Sequence, residues 1–126
     1  MPDARSVLVE VDLLEAIQAE LAGVASRTDG QRRLDLVDLR RKLADQIARI
    51  RPVAEPLFAA QGDAALLQGF RERFSAMRSA AALHQANWPA VSLGERVEEY
   101  RASALAVREA NRAFVAWMRD TLPGLE

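Results

Sequence analysis

The stretch Leu67 to Trp88, LQGFRERFSAMRSAAALHQANW, decides the fold. Leu67, Phe70, Phe74, Met77, Ala81, His84 and Trp88 follow one another at intervals of 3, 4, 3, 4, 3 and 4 residues. An α-helix turns once every ~3.6 residues, so this spacing lines the side chains along one stripe, whereas a strand would need strict alternation. Pro89 comes next, and its ring carries no N–H with which to continue the helix, so a break is predicted there. Ser92, with Glu95 three residues on, has the form of a capping box and opens a helix that runs to about Thr121 before Pro123-Gly124 ends it. On that helix Leu93, Val97, Tyr100, Ala104, Val107, Asn111, Phe114 and Met118 repeat the rhythm. Two such stripes joined by a short connection predict an antiparallel hairpin with an apolar seam, as in helical bundles.

The front half carries the same period. A helix is expected from about Asp3, a plausible N-cap, to Arg27, with Val7, Leu14, Ile17, Leu21 and Val24 on one face. Ser6 to Val11 alternates like a short strand, but it runs straight into the helical pattern and reads as its first turns. Thr28-Asp29-Gly30 supplies a turn. A second helix should span about Gln31 to Ile50, burying Leu36, Leu39, Leu43, Ile47 and Ile50. Pro52 and Pro56 then predict a loop or a short helical turn, and Gly62-Asp63 a fresh cap for the helix that runs from about Asp63 to Trp88. The expectation is an all-α, four-helix antiparallel bundle forming a single domain over residues 1–126.

Composition narrows function by exclusion. The 126 residues are 50% hydrophobic and 28% charged, the balance of a globular domain rather than a disordered chain. With no cysteine there is no disulfide, thiolate nucleophile or thiolate metal site. A net charge of −1 and 6% aromatics argue against a nucleic-acid surface. No apolar run approaches the roughly 18 residues of a membrane span, and the acidic start (Asp3, Glu10, Asp12, Glu15) is unlike a secretory signal, so a cytoplasmic location is expected. Only Lys42 among the 17 basic residues is lysine, an arginine and alanine bias that suggests a GC-rich bacterial genome. Residues 1–30 hold six acids against two bases, and residues 31–51 three against seven, so the first two helices should attract each other.

His84 is the only histidine, without the carboxylates or further histidines that general-base or metal chemistry would need. It reads as a seam residue, with a hydrogen bond to Tyr100 expected from the hairpin register. The alternative is a phosphotransfer histidine, which four-helix signalling domains display on an exposed face beside a lysine. Asn111 reads as a polar residue fixing register on the helix 4 stripe. The basic run 32–51 looks like a nucleic-acid helix until Asp35, Asp38 and Asp45 are seen interrupting its polar side. There is no ExxH, GxGxxG, P-loop or GxSxG. No catalysis, cofactor or metal is expected. Helix 4 is apolar almost all round at FVAWM, residues 114–118, so Phe114, Trp117 and Met118 are expected to meet either a neighbouring helix or a protein partner, with a homodimer among the options.

DLLEAIQAELAGV followed by LVDLRRKLADQIARI, with Lys42-Leu43 and Ile47 in the second segment and Asn111 within REANRAFVAWM, resembles bacterial flagellar export chaperones of the FlgN type. The resemblance covers about two thirds of the chain and consists of helix order and heptads. It implies a chaperone that shields an amphipathic helix of a secreted subunit. ALHQANWPAV, residues 82–91, has no counterpart in that pattern, nor does this chain show the family's disordered C-terminal extension.

Overall fold

The described residues form four helices, α1 (Ala4–Ala25), α2 (Arg32–Ala59), α3 (Ala64–Asn87) and α4 (Val97–Thr121), with one 3-10 turn, Leu122–Gly124, after the last. The structure, a computed structural model, describes residues 3–88 and 97–125, and no strand occurs among them. Pro89, Leu93 and the Ser92–Glu95 pair lie outside the described residues. Asp3 caps α1 as expected, its Oδ1 accepting the Ser6 backbone N–H at 2.8 Å. Asp63 does the same for α3 through the Leu66 N–H at 3.2 Å. Each satisfies a donor that the first helical turn leaves without an intrahelical partner. Between α2 and α3 the chain reverses at Gly62, whose φ of 70° falls in the left-handed region that a Cβ disfavours.

One boundary differs from expectation. The second helix continues from Ile50 through Pro52 and Pro56 to Ala59. The two prolines stand four apart, so both rings lie on one face, and that face is exposed. The carbonyls they deprive of donors belong to Ala48 and Pro52, also exposed residues, so the lost hydrogen bonds fall where water can replace them. The buried stripe meanwhile extends without interruption through Ile50, Ala54, Leu57 and Phe58. Tertiary burial outweighs the local penalty.

Contacts between helices establish the topology. Gln46 near the middle of α2 donates to the Glu10 carbonyl at 2.8 Å, while Val24 at the far end of α1 clusters with Leu36 and Leu39 at the start of α2. Phe58 stacks on Phe70, and Arg40 reaches the Trp88 carbonyl, so α3 runs back along α2. Phe74 meets Phe114 while His84 meets Ser103, so α4 runs back along α3. Helix α4 closes on α1, and among the described residues the diagonal pairs of helices do not bring their backbones close, meeting only through long side chains such as Phe58 and Trp117. The result is an up-down-up-down bundle.

The core is densest at one end. Phe58 and Phe70 stack with centroids 4.9 Å apart, Phe70 and Phe74 lie 5.7 Å apart, and Phe114 meets both at 6.3 and 6.0 Å. Trp117 stacks on Phe58 at 5.4 Å and carries the Arg73 guanidinium 5.0 Å from its centroid. Gly69 admits that indole: a Cβ there would sit 3.2 Å from Trp117 Cζ2. The face of α4 that could have needed a partner is therefore covered from within. Phe114 and Met118 are fully buried, so they offer no contact surface, and Trp117 is half-buried.

Charge pairing also departs from expectation. The α1 acids Asp12 and Glu15 are met by Arg119 of α4, at 2.9 and 2.8 Å. Three cations of α2 turn to acids of their own helix, Arg41 and Lys42 to Asp38 and Arg51 to Glu55. Only the Arg27–Asp35 pair at 2.8 Å ties the end of α1 to the start of α2 among the described ion pairs. These are exposed contacts worth at most about 1 kcal/mol each.

Two substitutions test this packing by chemical denaturation. Phe70→Ala removes the ring shared by the aromatic cluster and should cost about 3–5 kcal/mol. Asn111 is buried in the seam with no hydrogen-bond partner for Oδ1. Asn111→Leu should therefore raise stability by about 1 kcal/mol, and a loss instead would mean that the amide holds the register.

Candidate functional site

At the end of the bundle away from the aromatic cluster the core thins. Here α3 and α4 contribute Ala81 and Ala104 where the other end places phenylalanines, and a cavity of about 80 Å³ opens between the four helices. Leu21, Ala22, Leu36, Leu43 and Val107 form its apolar wall, and Gln18, Arg40, His84, Gln85, Tyr100 and Arg108 its polar one. Two buried donors on this wall, Gln18 Nε2 and Arg40 Nη2, have no protein acceptor.

His84 sits in that polar wall. Its Nδ1 lies 2.7 Å from Ser103 Oγ, and its ring packs against Tyr100 with centroids 5.4 Å apart at 45°. The expected His84–Tyr100 hydrogen bond is thus replaced by one to the residue a turn further on. The short serine hydroxyl reaches the imidazole within the seam. The tyrosine is too long for that, and its phenol extends to Arg40, where it favours the charged guanidinium. Trp88, buried, closes the edge of Tyr100 at 5.7 Å and 85°. Arg40 is anchored by one bond, from Nη1 to the Trp88 carbonyl at 2.7 Å. Burial lowers its pKa. Burial, and then the Arg40 charge, push His84 down to about 4, so the imidazole is neutral at pH 7. The residues expected to form a polar core are brought together only in part: His84 and Tyr100 meet, while Asn111 lies buried further along α4.

A second concavity runs outside the core, between α2 and α3, with a volume of about 600 Å³. Small residues make it: Ala44, Ala48 and Pro52 on one wall and Ala82 on the other, over a floor of Ile47, Phe74 and Ala81. Arg51, Arg78 and Glu55 stand at its rim. Glu55 accepts from Arg71 at 2.6 Å and from Arg51 at 3.1 Å, which hold its carboxyl below the usual range. Arg78 makes no ion pair with any described residue. The signal for this groove was present in the sequence as alanines flanking the α2 and α3 stripes, but only the pairing of the two helices shows that they face each other.

Among the described residues no group of acids and histidines could hold a metal ion, and no helix is long and apolar enough to cross a membrane. Comparison with known protein families, curated proteins and solved structures finds no match to this chain.

The His84 environment makes a pH prediction. An unfolded histidine titrates near 6.5 and the folded one near 4, so the unfolded state binds the extra proton first. The contribution is complete above pH 6.5 and is lost as pH falls toward 4. Discounted for a half-exposed ring, it should amount to about 1–2 kcal/mol. Urea denaturation of wild type and His84→Gln at pH 7.5 and 4.5 checks this: the variant should lose less stability than wild type over that interval.

Proposed function

We propose that this chain is a non-catalytic protein-binding module that receives an amphipathic, acidic helix of a partner in the α2–α3 groove. The observation carrying this reading is the groove itself, an apolar floor between alanine walls with arginines at the rim. Helix-in-groove recognition needs a trough wide enough for large side chains, and a volume of about 600 Å³ falls in the range of ordinary ligand sites. Rim cations then select a partner whose polar flank is acidic. This moves the contact surface from Phe114, Trp117 and Met118 to α2 and α3 while keeping the kind of partner. Its most specific form is an export chaperone in a bacterial cytoplasm, the captured helix belonging to a secreted subunit, as the resemblance of the front half implies. A phosphotransfer role draws no support from an imidazole that is half-buried in the cavity between the helices and engaged by Ser103.

The test uses the partner protein recovered by photo-crosslinking from a benzoylphenylalanine placed at Ala48. Ala82→Trp fills the groove from an exposed position and should weaken that complex about tenfold or more, with little change in melting temperature. Arg78→Glu should weaken it further as salt is lowered, since repulsion between like charges is then less screened. A complex indifferent to both substitutions would place the contact elsewhere.

A further inference from the structure

The half-open cavity between the helices carries an inference independent of the groove, with which it shares only Ala81 and Gln85 of its lining. Its unsatisfied polar atoms are of one kind. Gln18 Nε2 and Arg40 Nη2 are both donors, both buried and both without a protein acceptor. The charged groups on the wall are Arg40 and Arg108, and no acid among the described residues lines it. A half-buried guanidinium whose inner nitrogen has no counter-charge among the described residues is costly, and one carbonyl bond and a neighbouring phenol do not supply that charge. The missing component is an acceptor bearing negative charge.

The remaining wall limits which anion fits. Leu21, Leu36 and Leu43, on the same helices as Gln18 and Arg40, and Val107 give the cavity an apolar side without hydrogen-bonding groups. Sulfate or phosphate would turn oxygens toward that side and leave them unsatisfied. A carboxylate concentrates its acceptors at one end and can turn an alkyl chain to the leucines. With about 80 Å³ available and ~15 Å³ needed per water-sized group, the inner part of this half-open cavity holds about five non-hydrogen atoms. We propose that this cavity binds a short-chain organic carboxylate, its head held by Arg40 and Gln18 and its alkyl chain laid against Leu21, Leu36, Leu43 and Val107.

Titrating the ¹⁵N-labelled full-length chain with propionate, at constant ionic strength and pH 7, tests this. Propionate should shift the side-chain signals of Gln18 and Arg40 saturably. Propionamide, its neutral isostere, should bind about tenfold more weakly or worse, and sulfate should not compete. Arg40→Gln should abolish binding, but Arg40 also ties down the Trp88 carbonyl and its loss can disturb the fold. Gln18→Leu removes a donor that no protein group uses, so it should leave stability intact and weaken propionate about fivefold. The proposal is overturned if propionate produces no saturable shift, if propionamide or sulfate binds equally well, or if a folded Gln18→Leu binds propionate as wild type does.

Discussion

The stacking of Phe58 on Phe70, with Phe114 against the same ring, is the contact on which the arrangement of this bundle depends. It joins α2, α3 and α4 at one point. Phe58 can reach that point only if α2 remains helical past both prolines. Phe114 fixes where along the α3–α4 seam the two helices register. Because the aromatic volume is concentrated at this end, the opposite end must be filled by what the same stripes supply there, Ala81, His84, Tyr100 and Ala104. The bundle is consequently asymmetric along its axis, tightly packed at one end and polar at the other.

That asymmetry explains the state of the polar residues. A histidine on a seam of phenylalanines would have no partner, whereas at the thin end Ser103 accepts the role at small structural cost. Arg40 enters because α2 offers no large apolar side chain at that position of its stripe, and its aliphatic stem can cover apolar surface while the head is drawn inward. A cation half-withdrawn from water is costly, whereas an imidazole in the same place avoids that cost by staying neutral. Burial first, and then the repulsion that the Arg40 charge would exert on an imidazolium, hold His84 neutral.

Much of this was legible in the sequence, and the misses share a cause. The 3–4 spacing from Leu67 to Trp88, the Asp3 cap and the α2 stripe from Leu36 to Ile50 all encode local geometry, and the structure reproduces them. Pro52 and Pro56 were misleading because the rule for proline presumes a helix whose backbone cannot turn the affected carbonyls to solvent. The width of the apolar face around Phe114 and Met118 was read correctly, but width does not say which neighbour covers it. The cavity draws on residues from Gln18 to Arg108, and no local pattern can announce a site assembled from four helices.

The charge distribution follows the same logic of long-range pairing and bears on which partner suits the groove. Had α1 paid out its acids to α2, the bundle surface would be near neutral on all sides. Instead Arg119 of α4 occupies Asp12 and Glu15, while Asp38 and Glu55 neutralise only part of the cation surplus on α2 and α3. A chain of net charge −1 thereby acquires a basic face along α2 and α3. A phosphate backbone favours a polar track of cations that follows it, with aromatic groups for exposed bases. Here the arginines flank a floor of Ile47, Phe74 and Ala81, which a polyphosphate would leave dry and unused. The acidic amphipathic helix proposed for this groove would match both features at once, its apolar side on that floor and its carboxylates toward Arg78.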